Sequence, residues 1–378
     1  MISVRSALRK SSGAIRLLEA HDRPSTKVIR DSNGGQKEGF EGIWISGLTQ
    51  TTYLGIPDTE IVSPLYRAIL QATNIKTLWP SDRPICAAFD ADSGGSISDI
   101  PALVAVLVTI GISMAVIEDK ELKAPGKKVN SLLTANGSQS QADPADFCKT
   151  IQTFKESAQC SDLMITARIE SFNVRIMKDD PIEEAASIKA SLEDALSRAE
   201  MYTKAGADAI MIHSKSSSPT EVLDFLKRFR ERDQVTPLVV VPTTYSTTPR
   251  KSLIDAGANV IIYANHLMRA KIHAIEEVVK WGIHRAPDMF VDDKEAAACV
   301  EAKNYGCLLR ILLDRDRVDG KNWELEHLFQ QAQHQATMGM RTAVMMLEEG
   351  TQSGCEADMF MIGVEELLKI NATRISIA

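Results

Sequence analysis

Residues 112–133 read ISMAVIEDKELKAPGKKVNSLL. Met114 to Ile117 is a short apolar run of the kind that forms a buried strand. It breaks at once into Glu118-Asp119-Lys120, then into a basic segment containing Pro125 and Gly126, then into Asn130-Ser131. A carboxylate at the exit of a buried strand suits a cation, and lysines beyond it suit an anion. A divalent metal with an anionic substrate is one reading. Taken alone, a solvated charged loop after a core strand is the simpler one.

On either side of it the same unit recurs. Apolar runs at 14–21, 42–46, 85–90, 114–118, 164–168, 209–213, 238–243 and 260–265 alternate with helical patterns at 62–72, 100–110, 144–158, 182–205, 219–232 and 249–256. Strands that alternate with helices make βα units and a parallel sheet. Eight such units predict an α/β fold, a (β/α)8 TIM barrel. The stretches AGADAI from Ala205 and AGANVI from Ala256 repeat one device, a glycine that ends a helix and leads into the next strand. The expected domains are a barrel over 1–285 and a helical C-terminal extension over 286–378, which would pack on the barrel or on a neighbouring subunit. Within the extension, Met338, Met340, Met345 and Met346 fit packing against a partner helix better than a cofactor box. Residues 31–38, 136–141 and 174–187 read as inserted and mobile.

In a TIM barrel the chemistry sits at the C-terminal ends of the strands. Here those ends carry Glu19 and His21; Trp44 and Ser46; Asp90 and Asp92; Glu118; Arg168 and Glu170; His213 and Ser214; Thr243; Asn265 and His266. Residues two apart on a strand share a side, so Asp90 and Asp92 are expected to face the mouth together, joined by Glu118 from the next strand. Three carboxylates suit Mg2+ or Mn2+, hard cations that take oxygen ligands and keep several waters. The alternative for Asp-x-Asp is a cap on the following helix. Asp58, in the turn YLGIPD, reads as a further outer acid or as an N-cap before Thr59. Gly47, just after a strand, frees backbone amides that can hold an oxyanion. The Arg168 guanidinium suits phosphate or carboxylate oxygens, or pairs structurally with Glu170. His213, followed by Ser214-Lys215, reads as an anion site or as a core histidine.

The chain has 378 residues, 44% of them apolar, and a net charge of −7. That charge argues against nonspecific binding of nucleic acid, and no apolar run reaches membrane-spanning length. The six cysteines show no metal-binding spacing and read as reduced thiols of a cytoplasmic protein. The first 18 residues hold Arg5, Arg9, Lys10 and Arg16 with serines and no acid, a composition that mitochondrial transit peptides share. An ordinary N-terminal helix is the preferred reading, because residues 8–18 run directly into the first strand.

Set side by side, the motifs carry a resemblance. They are LEAH at 18–21, GIWISGL at 42–48, Asp58, DAD at 90–92, EDK at 118–120 with Asn130-Ser131 downstream, ARIE at 167–170, AGAD at 205–208 leading to His213-Ser214-Lys215, VPT at 241–243 and ANH at 264–266. From about residue 8 to 279 the chain resembles the phosphoenolpyruvate mutases of the isocitrate lyase superfamily. The resemblance implies interconversion of phosphoenolpyruvate and phosphonopyruvate, the carbon–phosphorus bond-forming step of phosphonate biosynthesis. It implies Mg2+ at Asp90, Asp92 and Glu118, near Asp58. Trp44, Ser46, Gly47, Leu48 and Ser131 would surround the substrate, Arg168 and His213 would hold the phosphoryl oxygens, and Lys128 and Asn130 would close over them. It further implies a homodimer or homotetramer and a decarboxylase as pathway neighbour. There are departures. Nine residues, 121–129, separate the EDK from Asn130, more than the family has, so Lys127 and Lys123 rival Lys128. Ser93-Gly94-Gly95-Ser96 replaces the family's Thr-Gly-Tyr-Gly-Asn. The nearest alternative is a phosphonopyruvate hydrolase, which has threonine at the place of Asn130. A carbon–carbon lyase would need a cysteine acid in that loop, and a non-catalytic homologue should have lost some of these residues.

Overall fold

The computed structural model describes residues 1–32, 39–76, 84–121 and 139–285. Eight parallel strands close into a barrel in sequence order. They are β1 (Ile15–Glu19), β2 (Gly42–Ile45), β3 (Cys86–Asp90), β4 (Met114–Glu118), β5 (Met164–Ile169), β6 (Ala209–Ile212), β7 (Leu238–Val240) and β8 (Val260–Tyr263). The ring shuts where β1 pairs with β8, Leu17 opposite Ile262. Every strand expected from the sequence is present: β4 has the expected bounds, β5 runs one residue further, and the other six are shorter by one to three residues.

The interior follows from the two-residue strand period. Ile15 and Leu17, Cys86 and Ala88, Met114 and Val116, Ala209 and Met211, Val239 and Val241, and Val260 and Ile262 all belong to one buried cluster. The next inward position in several of these series is polar: Asp90, Glu118, His213 and Thr243. Side-chain parity that fills the barrel with hydrocarbon thus delivers ionisable groups to its C-terminal rim.

The opposite end is closed by α1 (Val4–Lys10), whose Val4 and Ala7 join the same cluster. Ser3 caps this helix by accepting from the Ser6 amide, and the Val4 amide donates to Ser113 Oγ at 3.1 Å. The N-terminal helix expected from the sequence is therefore part of the packed core.

The outer layer holds α2 (Arg23–Ser32), α3 (Gly47–Tyr53), α4 (Pro64–Lys76), α5 (Ile100–Thr109), α6 (Pro144–Ser157), α7 (Ser171–Val174), α8 (Pro181–Lys204), α9 (Thr220–Arg232) and α10 (Arg250–Asp255). Asp143 and Asp180 each accept from two backbone amides of the helix they open, α6 and α8, and each is followed by proline at the first helical position. That pairing of cap and proline explains why both starts were legible. Residues 174–187, expected to be a mobile insertion, are an ordered connection instead. Arg175 pairs with Glu184 at 2.7 Å and with Glu221 at 2.6 Å, and Pro181 already begins α8.

Met1–Asn265 forms one compact unit, and a second begins at His266 with α11 (His266–Arg285). The C-terminal extension expected over 286–378 lies outside the described residues, as do residues 33–38 and 136–138 of the other two expected insertions.

Candidate active site

A pocket opens at the C-terminal rim of the barrel, with about 570 Å3 of space that includes open solvent at its mouth. It is lined by Trp44, Ser46, Leu48, Asp58, Asp90, Glu118, Lys120, Arg168, Met211, His213, Val241, Thr243, Ala264 and Asn265. Of the residues expected to form the site, Trp44, Ser46, Leu48, Asp58, Asp90, Glu118, Arg168 and His213 come together here. Gly47 and Asp92 are not among the lining residues. Lys128, Asn130 and Ser131 lie outside the described residues, as do the rival Lys123 and Lys127.

The acidic side is built by β3 and the turn that follows it. Asp90 ends the strand and lines the pocket. Its Oδ2 accepts the Gly47 amide at 3.1 Å, so that amide is engaged and does not form the open oxyanion cradle expected from the sequence. The approach is tight: a Cβ on Gly47 would lie 3.1 Å from Asp92 Oδ1 and 3.4 Å from Asp90 Oδ2. Asp92 departs from the expected alternation. The strand has ended, and Asp92 adopts φ +50°, a left-handed conformation unusual outside glycine. Its Oδ2 meets Arg67 Nη2 at 2.5 Å, and Asp92 is not among the residues lining the pocket. Arg67 is itself wholly buried. It also donates to the Asp90 carbonyl at 2.7 Å and to Gln50 Oε1 at 2.6 Å. Asp58 lines the pocket and caps no helix, since α4 starts only at Pro64.

Asp92, unlike Asp90 and Glu118, is not among the residues that line the pocket, and among the described residues no group of three His, Cys, Asp or Glu is arranged to hold a metal. Asp90, Glu118 and Asp58 do share the pocket wall. That donor chemistry fits Mg2+, which binds through one or two carboxylates and otherwise keeps water or substrate oxygens.

The basic side is built by β4 and β5, where Glu118 pairs in register with Arg168. Arg168 Nη1 lies 3.4 Å from Glu118 Oε2, and its Nε lies 2.5 Å from Glu170 Oε1. Lys120 Nζ sits 3.5 Å from Glu118 and 3.9 Å from Glu170. Burial pushes the Glu170 pKa upward, but the charges of Arg168 and Lys120 outweigh it and hold the group below its usual value. His213 moves the other way. Burial first, then the Arg168 charge, lower its pKa to about 3, so the ring is neutral at ordinary pH. Among the described residues His213 Nδ1, Thr243 Oγ1 and Asn265 Oδ1 have no hydrogen-bond partner, although all are buried. Three such atoms on one wall are acceptors or donors for a ligand.

Asp119, of opposite parity to Glu118, points away from the pocket. It accepts from the Glu170 amide at 2.9 Å, Gln141 Nε2 at 2.8 Å and the Tyr202 hydroxyl at 2.7 Å. Burial raises its pKa to about 6, against the Arg198 charge and these donors. Two site residues escaped the sequence reading. Lys120 was detectable, because it lies two residues from Glu118 and shares its side. Arg67 was not, since an arginine on a helix ordinarily faces solvent.

With this geometry the comparisons agree. Residues 4–281 match the phosphoenolpyruvate phosphomutase family. A phosphoenolpyruvate phosphomutase of Tetrahymena pyriformis is 34% identical over 263 residues, 69% of this chain and 76% of the relative. The solved phosphoenolpyruvate phosphomutase of Streptomyces platensis subsp. rosaceus superposes with a TM-score of 0.60 at 29% identity, covering 84% of this chain and 99% of the other. A phosphonopyruvate hydrolase solved with oxalate and Mg++ shares the fold, with a TM-score of 0.59 at 23% identity over 80% of this chain and 97% of its own. An eight-stranded barrel with acids on one side of its rim and a buried arginine and neutral histidine on the other, matched over most of its length, is accounted for by common descent, and the chain belongs to the phosphoenolpyruvate phosphomutase family.

Proposed function

We propose that the protein is a phosphoenolpyruvate mutase that interconverts phosphoenolpyruvate and phosphonopyruvate with Mg2+, Mn2+ being an alternative ion. The observation that carries this reading is the division of one pocket into an acidic side, Asp58 and Asp90, and a side holding Arg168 beside neutral His213. The substrate has two anionic ends, and the site offers a distinct environment to each. When bound at Asp90, with Glu118 and Asp58 close by, the divalent ion supplies charge neutralisation for the pyruvyl oxygens.

The remaining work falls to the chain's own groups. The Arg168 guanidinium presents a planar fork to phosphoryl oxygens, and His213 adds a neutral hydrogen-bonding ring. A loose, metaphosphate-like transition state needs positioning and charge stabilisation more than a strong base. Ser46 and Leu48 hold the pyruvyl carboxylate, while Trp44, Met211 and Val241 make the wall hydrophobic and keep water from the transferring group. Lys128, Asn130 and Ser131 complete the site in this reading.

A phosphonopyruvate hydrolase is the second reading, and Asn130 in the sequence favours the mutase over it. A carbon–carbon lyase has less support, because no described cysteine lines the pocket: Cys86 is in the barrel core and Cys148 and Cys160 lie elsewhere. Phosphorus NMR tests the proposal. Purified protein with Mg2+ and phosphonopyruvate is expected to give phosphoenolpyruvate as first product, and inorganic phosphate appearing first would overturn the mutase in favour of the hydrolase. The cytoplasm as location and a homodimer or homotetramer as assembly are part of the same proposal.

A further inference from the structure

In the function proposed above, the end of β3 supplies an acid, the end of β5 a guanidinium and the end of β6 an imidazole. The ring then continues through β7 and β8. Those two strands deliver Thr243 and Asn265 to the same pocket, and neither residue has yet been given a role. Thr243 continues the inward series of Val239 and Val241. Asn265 is only 6% exposed and follows Ala264, which packs against the barrel core. Thr243 Oγ1 and Asn265 Oδ1 are both shut off from solvent, and neither has a hydrogen-bond partner. A buried polar atom in that state costs stability. The same residue types nearby are paired. Thr244 donates to the Ser214 carbonyl at 2.8 Å, and Asn259, at the entry to β8, donates to the Gly13 carbonyl at 2.8 Å and accepts from the Leu238 amide at 2.9 Å. With His213 Nδ1, the two oxygens make a run of unpaired polar atoms over three consecutive strands, and the run starts next to β5, which carries Arg168. A phosphoryl group has three strong acceptor oxygens, more than one guanidinium and one imidazole fill. A threonine hydroxyl can donate, and a half-turn of an asparagine amide presents its NH2 in place of its carbonyl.

We propose that Thr243 and Asn265 are substrate-binding residues that donate hydrogen bonds to the phosphoryl oxygens, extending the contact made by Arg168 and His213. This rests on the function proposed above, and it assigns the phosphoryl subsite to the ends of four consecutive strands. The test separates the two ends of the substrate. Oxalate offers carboxylate oxygens like those of the pyruvyl end and has no phosphoryl group. Calorimetric affinity for phosphonopyruvate and for oxalate, both at saturating Mg2+, is measured in wild type, Thr243→Val, Thr243→Ser and Asn265→Leu, together with the thermal midpoint of each unliganded protein. Thr243→Val and Asn265→Leu should each weaken phosphonopyruvate binding about tenfold or more, the scale of one hydrogen bond to a charged group. Oxalate binding should stay at the wild-type value. Thr243→Ser keeps the hydroxyl and should bind phosphonopyruvate as wild type does. The midpoints of Thr243→Val and Asn265→Leu should hold or rise, because each removes an unpaired buried atom. Phosphonopyruvate affinity that is unchanged, or that falls in step with oxalate affinity, overturns the proposal for the residue concerned. A wild type that binds phosphonopyruvate without converting it counts against the mutase alone, and the affinity ratios still decide the two residues. A wild type that does not bind it overturns both.

Discussion

Asp90 and Asp92 are chemically identical and two positions apart, yet the chain gives them different surroundings. Asp90 faces the pocket, and its carboxylate is aligned by the Gly47 amide. Asp92 turns back at φ +50° onto a buried guanidinium. Replacing Asp90 by Asn should lower turnover by roughly a hundredfold or more, a loss on the order of one preorganised electrostatic contact or greater, with the circular dichroism spectrum unchanged. Steady-state assay at saturating Mg2+ checks this, and near-normal activity would remove Asp90 from the site. The acids were readable in the sequence because a strand end is where a barrel displays them. The end of β3 at Asp90 was readable as well; what was missed is that the alternation should not be carried past that end to Asp92. Alternation holds only while the backbone stays extended, and Ser93-Gly94-Gly95 after Asp92 was the one sign of an early turn, with Gly94 and Gly95 both at positive φ.

Among the elements, β-strands were more legible than helices. β4 spans Met114–Glu118 as expected, since an apolar run bounded by charge has one reading. α2 and α3 were not anticipated. α2 is strongly polar, and α3 begins within a glycine turn and contains Thr49, Thr51 and Thr52, poor helix formers. The role of α4 was equally hidden. It carries Arg67 across to β3, where the guanidinium bridges Asp92, the Asp90 carbonyl and Gln50, with the Phe89 ring centroid 5.1 Å away. Arg67→Met should destabilise the protein by roughly 3–5 kcal/mol, because it strands a buried carboxylate. Arg67→Met/Asp92→Asn should recover most of that loss in chemical denaturation. Additive losses in the pair would show that the two residues do not compensate one another.

The barrel's stability as a function of pH joins groups from opposite sides of the ring. His21, at the exit of β1, meets Glu19 at 2.6 Å and Asp22 at 3.4 Å. Burial opposes its protonation, yet these hydrogen bonds and charges raise its pKa to about 9. The folded state thus holds a proton that the unfolded chain gives up near 6.5, so this contribution is complete below about 6.5 and is lost as pH rises through about 9. It is worth on the order of 1–2 kcal/mol after solvent screening at the rim. His213 has the opposite sign: its pKa of about 3 means that acidification from about 6.5 favours the unfolded, protonated form. Thermal unfolding should therefore be most resistant near pH 6.5, and His21→Gln should flatten the alkaline decline. An alkaline limb that persists unchanged in that variant would assign it to other groups.

Helix α1 stoppers the lower end of the stave ring with Val4 and Ala7. With the packed interior above it, the cylinder offers no through-passage from that end. Reactant, product and any stray water must use the same upper doorway, so occupancy by one excludes the others, and an exchange of molecules has to precede each new catalytic cycle.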